Sequence, residues 1–497
     1  MPHPAKVLIA NRGEIACRVI AACKELGLGS VAVYSDADVT SRHVWMADQA
    51  VRLGPPPSAE SYLRGDLVLQ AALATGATLL HPGYGFLSEN HVFREQCAAA
   101  GVRFVGPGAF AMEQMGTKTL ARQAMHRAGV PVVPGSLLPL ENAAEAAKLA
   151  EEIGYPVMLK AASGGGGKGI RLINQASELP LAFAAVQRQA MAYFKDPTIY
   201  MEKAIVRPRH IEIQVMADGH GNAVHLFDRE CSVQRRNQKI IEESPAAHLS
   251  DATRHKMGAV AVQAARAVDY QGAGTIEFLV DPDQNFYFME MNTRLQVEHP
   301  VTELVTGTDL VVEQLRVAMG ERLSWQQTDI AQRGHAIECR IYAENPAKGF
   351  IPSPGPLHVY RPPGGPGLRL DDGFCEGDVI PNHYDSMIGK LSAWAPTRGH
   401  AIGRMCAALQ RFEIGGIDHN LAHLLQVLRS DAFVVGPYDT GIVKTLPPLP
   451  VEPVADPLAA LLAAVLTQRA GSLRPTAIAP AESAWSLDAR GAGLRQR

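Results

Sequence analysis

Short apolar runs alternate with amphipathic stretches along most of the chain, a pattern that predicts strands alternating with helices and therefore a mixed α/β fold. The first unit has an apolar run at residues 6–10, a helical pattern to Leu26 and a second apolar run at residues 31–34, which is the order of a βαβ unit. A dinucleotide site would need G-x-G-x-x-G after the first strand, but Gly13 is the only glycine of that turn. We therefore expect a Rossmann-like lobe without that cofactor.

From about residue 115 the pattern changes to strands joined by turns, with one long helix predicted at residues 252–268. Predicted strands lie at residues 156–160, 170–173, 198–202, 210–216 and 223–227. Proline and glycine mark the boundaries of the later segments. The chain is thereby divided into an N-terminal lobe at 1–115, central lobes at 116–320 with a mobile glycine-rich lid at about 131–205, a mixed lobe at 334–445, and a proline-rich linker, helix and tail at 446–497.

Composition describes a globular protein that acts on neither nucleic acid nor membranes. The chain has 497 residues, of which 47% are apolar and 20% charged, and this length predicts several lobes. A net charge of −3 argues against nucleic-acid binding, and no apolar run reaches the roughly 20 residues of a membrane span. The first strand begins almost at the N-terminus, so we expect a cytoplasmic chain. The seven cysteines form no C-x-x-C pair and indicate reduced thiols.

Residues 286–300 begin as an apolar run and continue with polar side chains at alternate positions. In an extended chain such residues point to one side, and they are costly to bury in a core unless they line a site. Carboxylate and amide oxygens suit a hard cation, whereas an arginine suits a planar anion. The sequence therefore predicts a catalytic surface made by Glu290, Asn292, Arg294, Gln296 and Glu298.

A predicted hairpin, formed by residues 274–280 and 286–291, carries a second acid, Glu277, among apolar neighbours. A lone ionised glutamate there would be destabilising unless it is paired or bound to a metal. Symmetric pairing about the turn puts it opposite Met289, whereas a shift of one residue puts it opposite Glu290, and the sequence leaves this register open. A Mg²⁺ ion bridging the two acids to ATP phosphates explains both; two solvent-facing acids at an edge are the alternative.

The run at residues 163–169 is glycine-rich and follows Lys160, with Lys118 farther upstream. It is not a Walker A motif, because Gly169 follows Lys168 where serine or threonine would be needed. Such a loop can fold over phosphates, and the lysines favour this interpretation over a mobile surface hairpin. The segment at residues 231–239 is basic and polar, which is typical of a solvated face.

Seven segments together resemble biotin carboxylases, a family of ATP-grasp enzymes. The likeness extends from about residue 4 to residue 445, which implies an ATP-grasp fold with a Rossmann-like N-terminal lobe. The segments are residues 11–14, 81–90, 160–169, 234–239, 290–300, 334–340 and 384–390.

The resemblance implies that ATP phosphorylates bicarbonate to carboxyphosphate, whose CO₂ then carboxylates N1 of biotin. ATP would be bound by Lys118, Lys160, Gly166, Gly167, Glu202, Lys203, Ala204, Ile205, His210, Gln234, Asn237, Glu277, Leu279 and Glu290. Mg²⁺ or Mn²⁺ would be bound by Glu277, Glu290 and Asn292. Bicarbonate would be bound by Lys239, Arg294, Gln296, Val297 and Glu298, and Glu298 would remove its proton. Arg340 would stabilise the enolate form of biotin, with Tyr84 nearby, so that the catalytic residues would be Lys239, Arg294, Glu298 and Arg340.

Two positions depart from the family pattern. Asn237 stands where many members have histidine, and Lys168 replaces an arginine; the first change keeps hydrogen bonding and the second keeps charge. Another ATP-grasp ligase would share Lys118, Lys160, Glu277 and Glu290 but would not explain Arg340. A non-catalytic ATP-binding subunit is a further alternative.

The expected partners follow from what the printed sequence lacks. It contains no Ala-Met-Lys-Met, so we expect biotin on a carrier protein or domain in trans, together with a carboxyltransferase subunit. Residues 482–490 resemble the start of the subunit-contact region of acyl-CoA carboxylase α chains. A homodimer or a larger carboxylase complex is expected, and the sequence does not identify the final acceptor.

Overall fold

The computed structural model describes residues 5–162, residues 169–449 and residue 465. The described residues up to Pro447 belong to one compact unit. The glycine loop at residues 163–168, with Gly166, Gly167 and Lys168, and the predicted helix and tail after residue 449 lie outside the described residues. In the described part of the chain, no helix combines the length and the apolar character that a membrane crossing requires.

The N-terminal lobe is a parallel sheet with the strand order β3-β2-β1-β4-β5, which confirms the Rossmann-like prediction. Because β1 and β4 are neighbours, the loops that follow them lie side by side, and the Asn11 side chain donates to the Pro82 and Tyr84 carbonyls at 2.7 and 2.8 Å. The strands are β1 (Lys6–Ile9), β2 (Gly29–Ser35), β3 (Gln49–Gly54), β4 (Leu79–His81) and β5 (Arg103–Phe104). The helices are α1 (Gly13–Glu25), α2 (Arg42–Met46), α3 (Gly65–Thr75), α4 (His91–Ala99) and α5 (Ala109–Gly116).

A small antiparallel sheet, in the order β7-β6-β8, occupies the range predicted for the lid. It has its own hydrophobic core, in which Leu159, Val186 and Met201 are fully buried, so this region is built as a separate packing layer. Its elements, with the helix before it, are α6 (Lys118–Arg127), α7 (Ala143–Ile153), β6 (Val157–Ala161), β7 (Ile170–Ile173), α8 (Leu179–Phe194) and β8 (Ile199–Lys203).

An eight-stranded antiparallel sheet, in the order β13-β12-β9-β10-β11-β14-β21-β19, forms the centre of the fold. It continues from the predicted central lobes into the predicted mixed lobe. Its strands are β9 (Arg209–Ala217), β10 (Ala223–Arg235), β11 (Gln238–Ser244), β12 (Gly272–Val280), β13 (Phe286–Asn292), β14 (His335–Tyr342), β19 (Leu368–Asp372) and β21 (Met387–Ala395). Every residue of β9 and β14 is buried, so their polar side chains must find partners inside the protein.

The remaining strands are short, and the remaining helices lie between and after the strands of this sheet along the chain. The short strands are β15 (Glu344–Asn345), β16 (Ile351–Pro352), β17 (Gly355–Pro356), β18 (Val359–Arg361), β20 (Val379–Ile380) and β22 (Glu413–Gly415). The helices are α9 (Asp251–Ala267), α10 (His299–Thr306), α11 (Leu310–Ala318), α12 (Arg398–Arg411), α13 (Leu421–Arg429), α14 (Asp431–Val435) and α15 (Ile442–Thr445).

The segment at residues 231–239 is not the solvated face that its composition indicates. Strand β10 continues to Arg235, and Cys231, Ser232 and Val233 are fully buried. A two-residue turn at Arg236 and Asn237, both with positive φ (50° and 66°), then leads into β11. Positive φ at both positions is the geometry that lets a two-residue hairpin turn match the strand twist.

The β12–β13 hairpin contains both registers that the sequence left open. Near the turn the pairing is symmetric, with Phe278 opposite Phe288, and a bulge then shifts it by one residue. Beyond that bulge Glu277 lies opposite Glu290. The bulge therefore leaves Met289 unpaired and brings the two carboxylates together.

Candidate active site

A cavity of about 540 Å³ lies between the lid sheet and the eight-stranded sheet. Its walls come from α6, from the small β7-β6-β8 sheet, from the strands β9 to β14 of the large sheet and from the turn between β13 and α10. Sixteen of the predicted site residues line this one cavity: Lys118, Lys160, Glu202, His210, Gln234, Asn237, Lys239, Glu277, Leu279, Glu290, Asn292, Arg294, Gln296, Val297, Glu298 and Arg340.

Four described residues of the predicted set lie elsewhere. Lys203, Ala204 and Ile205 are not among the lining residues, and the Lys203 ammonium donates to the carbonyls of Gly154 and Tyr155, both at 2.9 Å. Tyr84 lines an adjoining cavity of about 550 Å³.

The pKa values of the two facing carboxylates, Glu277 and Glu290, are shifted in opposite directions. Burial disfavours the ionised form of Glu277, but the charges of Lys239 and His210 outweigh it and hold the pKa of Glu277 well below its usual range. Burial, and next the charge of Glu277, raise the pKa of Glu290. A cation between them would relieve this repulsion.

The amide beside these acids completes an oxygen-rich donor set. Asn292 donates its Nδ2 to Glu277 Oε1 at 2.8 Å, and its Oδ1 accepts from Arg294 Nη2 at 2.9 Å. Two carboxylates and an amide oxygen are ligands that Mg²⁺ and Mn²⁺ accept. The residues present therefore fit the predicted metal.

Lys239 is the cationic centre of the cavity floor. Its Nζ donates to Glu212 Oε2 at 2.7 Å, to Glu277 Oε1 at 2.8 Å and to Glu298 Oε1 at 2.7 Å. Burial opposes its charge, but these carboxylates together raise the pKa of Lys239 well above its usual range. The ammonium is therefore fixed as a charge among three carboxylates.

Glu298 is held between two cations. Its Oε1 accepts from Lys239, and its Oε2 accepts from Arg340 Nη2 at 2.9 Å. Burial would raise the pKa of Glu298, but Lys239 and Arg340 lower it below its usual range, so the group is ionised. Arg340 Nε in turn donates to Glu242 Oε1 at 2.6 Å, which fixes the guanidinium plane.

At the lid side of the cavity, one glutamate binds two cations. Glu202 Oε1 accepts from Arg122 Nη1 at 2.6 Å, and its Oε2 pairs with the Lys160 ammonium. His210 contacts the predicted metal site, because its Nε2 lies 2.9 Å from Glu277 Oε2. Its Nδ1 lies 2.8 Å from Gln234 Nε2. The histidine is therefore held by two predicted site residues.

Sequence reasoning missed a layer of buried partners under these groups. Glu212 lies opposite Glu277 in the β9–β12 pair and opposite Arg229 in the β9–β10 pair. Arg229 is fully buried and donates to Glu212 Oε1 at 2.5 Å and to Gln296 Oε1 at 2.7 Å. Polar residues alternate along one strand at His210, Glu212 and Gln214, as they do at residues 290–298. This pattern could have identified Glu212 from the sequence.

The second cavity adjoins the first. Four residues, Gln238, Arg294, Val297 and Arg340, line both cavities. The rest of the second wall comes mainly from the segments that follow β1 and β4, from the end of β14 and from the segment before β21, and it includes Arg12, Glu14, Tyr84, Phe86, Tyr342 and Tyr384. The shared residues therefore connect the first cavity, which is lined by charged groups, with the second, whose wall is rich in aromatic side chains.

Comparison with known families gives three matches in chain order. Residues 3–112 match the biotin carboxylase N-terminal domain, residues 117–326 match the carbamoyl-phosphate synthase L chain ATP-binding domain, and residues 338–445 match the biotin carboxylase C-terminal domain.

Two relatives illustrate the range of proteins whose sequences are similar to that of this chain. Biotin carboxylase 1 of Bacillus subtilis is 53% identical over 441 residues, which cover 88% of this chain and 98% of the relative. The propionyl-CoA carboxylase alpha chain of Ruegeria pomeroyi is 50% identical over 458 residues, which cover 88% of this chain and 67% of the relative.

Solved structures agree with these matches. A biotin carboxylase–β,γ-ATP complex from Campylobacter jejuni aligns with a TM-score of 0.85 and 47% identity, over 88% of this chain and 98% of that one. The biotin carboxylase domain dimer of the Hydrogenobacter thermophilus 2-oxoglutarate carboxylase, in complex with MgADP, ADP and bicarbonate, aligns with a TM-score of 0.84 and 46% identity, over 89% of this chain and 98% of that one.

Proposed function

Because the chain belongs to the biotin carboxylase family, we propose that its two adjoining cavities form one active site, with ATP and bicarbonate in the first and biotin in the second. The protein is an ATP-dependent biotin carboxylase, a ligase of the ATP-grasp type, and carries out the first half-reaction of a biotin-dependent carboxylase. The observation that carries the assignment of the cavities is the position of Glu298, whose two oxygens are held by Lys239 and by Arg340.

The metal and the nucleotide use the lid-facing half of the first cavity. Glu277 and Glu290, with Asn292, would hold Mg²⁺ or Mn²⁺, which neutralises charge on the phosphates when bound. Lys118 and Lys160 supply fixed positive charge for the phosphate chain. In the described structure Lys160 is paired with Glu202, so phosphate binding competes with that carboxylate.

Bicarbonate activation uses the floor of the same cavity. Bicarbonate is a weak nucleophile in water, and Lys239 and Arg294 would fix its charge beside the γ-phosphate. Glu298, ionised and within reach of the same position, would accept the bicarbonate proton as an oxygen of bicarbonate attacks the γ-phosphorus. ADP leaves, and carboxyphosphate is formed.

Carboxylation takes place where the two cavities join. Carboxyphosphate breaks down to CO₂ and phosphate, and the released phosphate would accept the N1 proton of biotin. Arg340 would stabilise the negative oxygen of the resulting enolate-form biotin while N1 attacks CO₂. An arginine suits this role because its charge cannot be titrated away at working pH. Tyr84, across the second cavity, would face the biotin ring.

The partners follow from the relatives only in outline. Related chains include carboxylase subunits, and a related solved structure is a dimer. For this chain we propose a homodimer that receives biotin on a carrier protein or domain outside these 497 residues and works in the cytoplasm with a carboxyltransferase subunit. The final acceptor is chosen by that subunit.

The test of the proposed function is the substrate dependence of ATP turnover. The purified chain should hydrolyse ATP with Mg²⁺ and bicarbonate, form carboxybiotin from free biotin, and turn over about 10²-fold faster with a biotinylated carrier, whose docking gives biotin a high effective concentration. ATP turnover that ignores both bicarbonate and biotin would favour another ATP-grasp ligase. Nucleotide binding without turnover would favour a non-catalytic subunit.

Replacing Glu290 by glutamine should weaken metal binding more than it weakens the fold. We expect the Mg²⁺ concentration for half-maximal turnover to rise about tenfold or more, because the charge of one ligand is lost. Without metal, the melting temperature should stay unchanged or rise by about 1–2 °C, since the repulsion from Glu277 is removed. Thermal melts with and without Mg²⁺ measure both effects, and a sharp fall in the metal-free melting temperature would show that Glu290 is a structural pairing residue.

A further inference from the structure

Three segments that resemble the family meet beside the second cavity, and two of their polar side chains, Glu14 and Lys390, have no role in the proposed reaction. The segments are residues 11–14, 81–90 and 384–390. The fold brings one side chain of each together: Tyr84 Oη donates to Glu14 Oε1, and Lys390 Nζ lies 3.4 Å from the same oxygen. The same Nζ lies 5.9 Å from the centre of the Tyr84 ring.

Lys390 is fully buried on β21, where an ammonium is costly unless it is well paired. Its nearest carboxylate oxygens, on Glu14 and Asp371, lie at 3.4 and 3.9 Å. Its short hydrogen bond goes instead to the main-chain oxygen of Val297, at 2.5 Å. The buried ammonium therefore acts mainly to hold the Val297 peptide group in place.

That peptide group belongs to the centre of the active site. Lys390 lies directly opposite Arg340 in the β14–β21 pair, so both side chains project from the same face of the sheet. They contact consecutive residues, because Lys390 holds the Val297 carbonyl and Arg340 holds the Glu298 carboxylate. Two like charges side by side are unfavourable unless each has its own acceptor, and this arrangement supplies one to each.

We propose that Lys390 is a positioning residue for the carboxylation reaction. It fixes the 297–298 segment, which carries the proposed base, relative to Tyr84 in the biotin chamber. The inference rests on the proposed function, because it names a residue that supports the same site. Without the hydrogen bond from Lys390, Glu298 would no longer be held at a fixed position relative to the biotin ring. A shift of about 1 Å in the position of a reacting group can lower the rate by up to about 10²-fold.

The direct test is Lys390→Met, which removes the charge and keeps an unbranched side chain. We expect kcat/KM for biotin to fall about 10- to 100-fold and the KM for bicarbonate to rise, with the KM for ATP unchanged. More ATP should be hydrolysed for each carboxybiotin formed. The melting temperature should fall as well, since Glu14 and the Val297 carbonyl lose a buried cationic partner, so the unchanged KM for ATP is what separates positioning from a general loss of structure.

Lys6→Met is the matched control. Lys6 also donates to a main-chain carbonyl, that of Thr75 at 3.0 Å, but lines neither cavity. Lys390→Gln keeps an N–H donor for the Val297 carbonyl and should recover part of the coupling between ATP hydrolysis and carboxylation, and it keeps the test open if the methionine variant does not fold.

The outcomes separate the two hypotheses. If Lys390→Met matches Lys6→Met in bicarbonate KM and in ATP consumed per carboxybiotin, the positioning role is wrong. A parallel loss of every kinetic parameter and of melting temperature would likewise overturn it in favour of a purely structural role. A wild-type chain without bicarbonate-dependent ATP hydrolysis would overturn the proposed function itself.

Discussion

Glu298→Gln is expected to lower biotin carboxylation by about 10²- to 10⁴-fold, the range typical of losing a positioned general base. The amide cannot accept the bicarbonate proton. Its NH₂ group would also face one of the two cations, Lys239 or Arg340, that hold the carboxylate. ATP affinity should change little, since the phosphate-side residues remain in place.

Single-turnover formation of carboxybiotin and a separate ADP-binding titration measure the two effects. Glu313→Gln is a matched control, because Glu313 is also buried but accepts from Ser324 and lines neither cavity. A Glu298→Gln variant that carboxylates within tenfold of wild type would show that another group removes the proton. Equal loss of nucleotide affinity would show that the carboxylate holds the site together instead.

A strand period of two predicts one surface for the alternating polar residues at 290–298, and all five line one cavity. However, β13 ends at Asn292, so Arg294, Gln296 and Glu298 reach the cavity from the turn that leads into α10 and not from a strand. The same rule could not place Glu277 opposite Glu290, since the pairing depends on a bulge at Met289 that costs one residue of register. A bulge is set by the packing of neighbouring strands, which the hairpin sequence does not contain.

The partners of the catalytic side chains were harder to predict for a related reason. Arg229 and Glu212 belong to strands that are remote in sequence from residues 290–298, and only the strand order of the large sheet brings them under Lys239. In isolation each is a charged residue in a half-apolar run, which is typical of a solvated strand face. Sheet order depends on long-range contacts, so local patterns carry little information about it.

Resemblance to the family supplied what local patterns could not, but it assigned roles without geometry. The structure brings sixteen of the predicted residues to one cavity and shows that the Lys203 ammonium is engaged by two backbone carbonyls. The predicted role of Lys203 in binding ATP stays a prediction, as do the roles of Gly166 and Gly167, which lie outside the described residues. Titrating ATP analogues that lack the adenine amino group would separate base recognition from phosphate binding.

Arg340→Ala is expected to separate the two halves of the reaction. Carboxybiotin formation should fall by about 10²- to 10³-fold, because the enolate oxygen loses the fixed charge that stabilises it. Bicarbonate-dependent ATP hydrolysis should persist, since Lys239 still holds Glu298 on its other oxygen. Arg340→Lys should also be strongly impaired, because the shorter lysine side chain lacks the planar guanidinium whose Nε donates to Glu242 while its Nη2 donates to Glu298.

The ratio of ADP to carboxybiotin decides this prediction. Arg398→Ala is the matched control, since Arg398 is a part-buried arginine that pairs with Glu243 and lines neither cavity. Loss of that ion pair should lower the melting temperature without changing the ratio. Arg340→Ala should instead raise the ratio, because carboxyphosphate still forms while biotin no longer captures its CO₂. If Arg340→Ala abolished nucleotide binding, or slowed ATP hydrolysis and carboxylation equally, Arg340 would have to act before carboxyphosphate forms.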